Sequence, residues 1–182
     1  FWPDPKFFDS DRFSVPDLKR VLKAKAVLCA GLRVSFANEA TGEKEEWFYT
    51  GHLGEYLLEQ LGRNERLPAE PIIGKHVSDQ DVVEWALAWT PEDVPAVIES
   101  YVNLIPTSAG GTHVNGLRSG IVEAVRDFCE VRSLLPRGVK LTAEDVWDRA
   151  WYLLSLKIRD PQFAGLRGPD GIVREDAAIG TG

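Results

Sequence analysis

Two segments of period-two pattern bracket one long helical stripe, and this arrangement limits the folds open to the chain. Val83, Trp85, Leu87 and Trp89 alternate with smaller or polar residues, as do Tyr152, Leu154, Leu156 and Ile158. Side chains two apart share one face of a strand, so both segments predict strands. Between them, Val114, Leu117, Ile121, Val125 and Phe128 follow the three-four spacing of a core-facing helix. Strand, long helix, strand implies a sheet with a helix packed on it.

The flanks extend this pattern. Ser14, Pro16 and Asp17 open a helix running to about Val27, which stops near Gly31. Leu32, Val34 and Phe36, then Thr41-Gly42, then Glu46 to Tyr49 predict a hairpin. Leu53 to Leu61 predicts a short helix ended by Gly62, and the prolines and glycine between Leu67 and Gly74 predict a loop. Val97 to Ile105 predicts one strand. Thr112 is expected to cap the long helix, and Thr142-Ala143-Glu144-Asp145 resembles a capping box. The expected class is α+β: a two-layer sandwich with helices on one face of a mixed sheet.

Length and composition narrow the function. The chain has 182 residues, enough for one domain, with 44% apolar and 27% charged residues. No apolar run is long enough to span a bilayer, and the start lacks the basic and apolar regions of a signal peptide. The chain contains no Met, which predicts a fragment. Cys29 and Cys129 suit neither a zinc site nor a redox pair and are expected to be buried structural thiols in a reducing cytoplasm. The net charge of −7 argues against a general nucleic-acid-binding surface. Residues 12–33 are an exception, with Lys19, Arg20, Lys23 and Lys25 against Asp17 alone. Lys19 and Lys23 are four apart, share a helix face and are the candidate DNA-facing pair, the alternative being a solvated face.

No self-contained active site emerges. Gly110-Gly111-Thr112-His113 precedes a helix but lacks a phosphate-binding lysine and the P-loop spacing, so it reads as a structural turn. His113 has no reactive partner nearby in sequence, and His52 and His76 are isolated, so no metal site is expected. Glu144 and Asp145 read as first-turn helix acids, and the six tryptophans as core and interface.

Longer motifs carry a resemblance. Asn103-Leu104-Ile105-Pro106-Thr107, followed by Gly110, Gly111, Thr112, His113 and Gly116, resembles a loop-to-helix signature. It is that of the ATPase subunits of gyrase and topoisomerase IV, the bacterial type II DNA topoisomerases. Leu135 to Leu141 with Ala143-Glu144-Asp145 and Trp147-Asp148-Arg149 is similar to the topoisomerase IV version, and the absence of a basic residue in Thr107-Ser108-Ala109 favours it over gyrase. Asp160-Pro161-Gln162-Phe163 resembles the approach to the family's nucleotide-sensing loop, and Phe1-Trp2-Pro3-Asp4 the end of its ATP-binding domain.

The resemblance implies that residues 1–13 end an ATP-binding domain, that 14–165 form a transducer domain, and that 166–182 are a non-family, flexible tail. It implies a fold like the second domain of a small-subunit ribosomal protein, with a left-handed βαβ crossover. It also implies coupling of ATP binding and hydrolysis to DNA strand passage, as in relaxation and decatenation. ATP and Mg would belong to the intact protein and none to this fragment. The implied partners are the topoisomerase IV A subunit, DNA and, on ATP binding, a second copy of the B subunit, in a chromosome-associated cytoplasmic setting. The family's phosphate-contacting lysine is missing, since Gly168 stands at its position. Two alternatives stay open: the transducer of a gyrase B subunit, and a non-enzymatic protein-interaction module with the same fold.

Overall fold

A computed structural model of the chain describes residues 6, 14–51, 53–167 and 173–179, with 164–167 and 173–179 described by their backbone. The chain forms two compact units, 1–51 and 52–182. The helix and hairpin near the start fall in the first unit, and the sheet falls in the second. Apart from Lys6, residues 1–13 lie outside the described residues, as does His52.

In the first unit, α1 (Val15–Leu28) begins as the sequence predicts. The Ser14 hydroxyl accepts the Asp17 N–H at 3.4 Å, and proline occupies the first turn, where no intrahelical N–H is lost. Ala26, Val27 and Leu28 bury the end of the helix. Gly31, at φ 84°, turns the chain into β1 (Arg33–Asn38), which pairs antiparallel with β2 (Glu43–Phe48). Phe36 is buried on this hairpin.

The second unit is built on a five-stranded sheet. Its strands are β3 (Leu67–Val77), β4 (Asp81–Trp89), β5 (Ile98–Val102), β6 (Ile105–Pro106) and β7 (Ala150–Ile158), in the order β3-β4-β7-β5-β6. β5 runs parallel to β7 and the other pairs are antiparallel. The chain leaves β5 through β6, α3 (Thr112–Val131) and α4 (Ala143–Trp147) before returning as β7. A parallel neighbour requires such a crossover.

The register explains which residues form the core. Leu87 faces Tyr152 and Trp85 faces Leu154 across β4 and β7, and these side chains pack with Val114, Leu117 and Ile121 of α3. Ala86 and Ala88 lie on the opposite face with Leu153 and Trp151 and are equally buried. That face belongs to α2 (Leu53–Leu61), whose Tyr56 hydroxyl donates to Glu99, the neighbour of Leu153. The mixed sheet with packed helices is the expected α+β class, with helices on both faces rather than one. α4 opens with the predicted capping box, in which Thr142 and Asp145 bond reciprocally. The Thr142 hydroxyl and backbone N–H hold the Asp145 carboxyl below its usual value.

Three local expectations are corrected. The Leu67–Gly74 segment is the first part of β3, not a loop. Its prolines hide the strand pattern, yet β3 is an edge strand and Pro68 and Pro71 fall within a register shift between Leu67 and Ile72. Gly74 sits opposite Trp85, whose ring lies 1.9 Å from where a Cβ would be, so only glycine leaves room for it. The Val97–Ile105 strand is two strands, because Asn103 and Leu104 both take positive φ, 47° and 67°, and reverse the chain. Finally, the stripe on α3 is core-facing only in its first half, for Phe128 is 55% exposed.

After β7, β8 (Phe163–Arg167) and β9 (Val173–Ile179) pair antiparallel. The tail expected to be flexible thus contains hydrogen-bonded strand backbone.

Candidate functional site

The loop-to-helix signature is held by polar side chains at the end of the sheet. Asn103, at the β5–β6 turn, reaches across to β7: its amide donates to the Ile158 carbonyl at 2.8 Å, and its Oδ1 accepts the Ile158 N–H at 2.9 Å. The Asn103 backbone N–H donates to the Leu156 carbonyl at 2.8 Å. Two residues beyond Ile158 begins Asp160-Pro161-Gln162-Phe163. The two motifs, far apart in sequence, are therefore joined through one side chain. Asparagine suits the role because it tolerates the left-handed backbone and carries both a donor and an acceptor.

Behind the turn lies a buried relay. The Ser100 hydroxyl is 3.0 Å from the Thr107 carbonyl and 2.6 Å from the Thr107 hydroxyl, and Thr107 Oγ1 is 2.9 Å from His113 Nε2. Thr107 is 1% exposed and Ser100 8%. One proton arrangement satisfies all three contacts. Ser100 donates to the carbonyl, Thr107 donates to Ser100 Oγ, and His113 donates from Nε2 to Thr107 Oγ1. His113 Nδ1 is then a bare acceptor, buried and without a partner among the described residues. Pro106 ends β6 beside this relay, and Gly110 and Gly111 take φ of 76° and 146°, turning the chain into α3 with Thr112 as its first residue. The expected Thr112 cap is instead Gly111, which offers no side-chain hydrogen bond. The relay is an architectural brace without a nucleophile–base–acid set.

Burial holds His113 below its ordinary value of 6.5. The unfolded chain therefore takes up the proton more readily than the folded one. The contribution of His113 to stability is full above about 6.5 and is lost as pH falls from there toward the folded value. Unfolding free energy measured between pH 7.5 and 5 should decline more steeply in the parent chain than in His113→Gln. Equal slopes would remove His113 from the account.

Asp160 and Gln162 are exposed, Pro161 is half-buried, and Phe163 enters β8. Gly168 lies outside the described residues. Among the described residues no group of three or more His, Cys, Asp or Glu is placed to hold a metal ion. His76 is exposed on β3, and both cysteines are unpaired and half-buried. No helix of the described residues is long and apolar enough to cross a membrane.

The candidate DNA-facing pair lies among partners. Lys19 bonds to both Glu43 and Glu45 of β2 and lies 5.3 Å from the Phe36 ring centroid. Those carboxylates, Glu43 foremost and then Glu45, raise its pKa and neutralise its charge locally. Arg33 is likewise paired with Glu46, and Arg20 with Asp17. Lys23 is half-buried and also has partners. Lys19 thus links α1 to β2, and its ammonium is already ion-paired. The sequence could not reveal this, because the compensating acids lie some two dozen residues away on β2.

Sequence reasoning missed Ser100 and Ile158. Ser100 was detectable as a polar residue at an inward position between Ile98 and Val102. The Ile158 contact is made by backbone, which leaves no sequence signal.

A model of the DNA gyrase B family matches residues 52–165. The B subunit of DNA topoisomerase 4 from Pseudomonas aeruginosa is 54% identical over 182 residues, covering 100% of this chain and 29% of that protein. Its counterpart in Escherichia coli is 56% identical over 165 residues, covering 91% and 26%. Among solved structures, the topoisomerase IV ATP-binding domain of Francisella tularensis, in complex with a small-molecule inhibitor, superposes with a TM-score of 0.75 at 36% identity. It matches 98% of this chain and 46% of that one. The chain thus spans less than a third of the two curated relatives. The family match ends at residue 165, whereas the P. aeruginosa alignment covers all 182 residues. With its matched sheet, crossover helix and signature loop, the chain belongs to the DNA gyrase B family.

Proposed function

We propose that the chain is the transducer part of a topoisomerase IV B subunit, coupling ATP binding and hydrolysis elsewhere in the protein to DNA strand passage. The observation that carries this reading is the Asn103–Ile158 bridge, which ties the signature loop to the segment leading toward Asp160–Phe163. A movement at Asp160–Phe163 would be passed along β7 to the turn, and from the turn through Thr107 and His113 to α3. Rigid, hydrogen-bonded elements carry such coupling only if they have two arrangements that both sites bias.

The boundaries proposed are 14–165 for this part, with residues 1–13 belonging to the preceding ATP-binding domain. In the intact protein ATP and Mg would be bound by that preceding domain, whose end Phe1-Trp2-Pro3-Asp4 resembles. The topoisomerase IV A subunit, DNA and a second copy of the B subunit would be the partners. High identity to topoisomerase IV proteins over nearly all of the chain favours this over a gyrase assignment.

The isolated chain should release no phosphate from ATP, with or without DNA. Turnover that copurifies with the chain and is abolished by a competitive ATP-site inhibitor would overturn the assignment of catalysis to another domain.

A further inference from the structure

We infer that the surface formed by β3, the second half of α3 and the segment 134–141 docks an acidic, amphipathic segment of a partner protein. This goes beyond strand-passage coupling and does not rest on it. The apolar half is a groove of about 510 Å³ with Leu87, Trp89 and Val125 among its lining residues. Ile72 and Phe128 also line it and stand 45% and 55% exposed, while Val131, one helical turn on, is 80% exposed. Apolar side chains gathered at a concave site mark an interaction surface rather than scattered surface residues.

The charged half decides what fits. The groove, which also has the capping carboxylate Asp145 on its lining, meets a second concavity of about 760 Å³ at Leu141, and there Arg126, Arg137 and Lys140 line the wall with one carboxylate, Glu130. The Arg126 Nε–H donates to the Leu141 carbonyl and so pins the loop to α3. Arg137 and Lys140 form no ion pair among the described residues. In a chain of net charge −7, this is a local reversal of sign. Residues 132–140 contain three cations and no acid. A helix with leucine-like side chains on one face and carboxylates along its flank would cover the exposed apolar residues and pair the free cations together. A nucleic-acid backbone would satisfy the cations but leave Ile72, Phe128 and Val131 in water.

The test is a fluorescence titration of the full 182-residue chain into a labelled synthetic peptide, with leucines along one helical face and glutamates along the other. A scrambled peptide of equal composition serves as control. Saturable binding of the amphipathic peptide alone is expected. Phe128→Asp and, separately, Arg137→Glu with Lys140→Glu should each weaken it by about tenfold or more. All these positions are solvent-exposed, and circular dichroism checks that each variant folds. Absence of saturable binding, equal binding of the scrambled peptide, or binding indifferent to both variants would overturn the proposal. So would duplex DNA or a second copy of this chain occupying the surface instead, shown by sensitivity of that association to the same variants.

Discussion

Leu154→Ala should lower the unfolding free energy by about 2–5 kcal/mol, the range for deleting a large apolar side chain from a core that cannot collapse around the gap. Leu154 is 1% exposed on the central strand β7, opposite Trp85 and beside Ser100 on the neighbouring strand. Neighbours on three sides are fixed by the β4 and β5 ladders and by α3, so little relaxation can fill the space. Phe128→Ala, at an exposed position on the α3 stripe, should cost less despite removing more atoms. Chemical denaturation of both variants checks this, and a Leu154→Ala loss smaller than that of Phe128→Ala would mean that the core is misplaced.

Asn103→Ala should cost about 1–3 kcal/mol through the Ile158 N–H and carbonyl left without partners in a half-buried position. A further ~1–2 kcal/mol is expected because alanine tolerates the left-handed conformation less well than asparagine. Asn103→Gly relieves the backbone cost while still losing both side-chain bonds, so it should fall between the parent and Asn103→Ala. Denaturation midpoints, with amide exchange at Ile158, separate the two contributions. Unchanged protection at Ile158 would mean that the bridge does not hold the end of β7.

These two sites differ in how far the sequence discloses them. The Leu154 position follows from alternation alone, since Tyr152, Leu154 and Leu156 can share a face only in a strand. Alternation likewise finds β4, and local caps and stops find α1, α2 and α4. It fails where tertiary context overrules a local signal. Pro68 and Pro71 say loop, yet an edge strand tolerates them. Asn103-Leu104 looks like mid-strand because leucine rarely takes a positive φ. Phe128 continues the core stripe by spacing, yet it stands 55% exposed at the rim of an open groove over β3 and β4. The site shows the same division. The signature from Asn103 to His113 is legible as a string of residues, but its bridge to Ile158 and its relay to Ser100 depend on a strand pairing that sequence alone does not reveal. Lys19 is the clearest case: it looks basic and exposed until β2 brings Glu43 and Glu45 against it.

The role proposed for this part of the protein is to transmit between nucleotide and DNA. The direct test is the ratio of strand passage to ATP hydrolysis in the intact protein, reconstituted with the other topoisomerase polypeptide. Decatenation and phosphate release are measured in the same reaction for the parent and for Asn103→Gly, at a temperature where both are folded. Decatenation is expected to fall several-fold more than ATP turnover, because the substitution cuts the bridge and leaves the proposed ATP-binding domain unaltered. Parallel loss of both activities, or retention of the parental ratio, would contradict it.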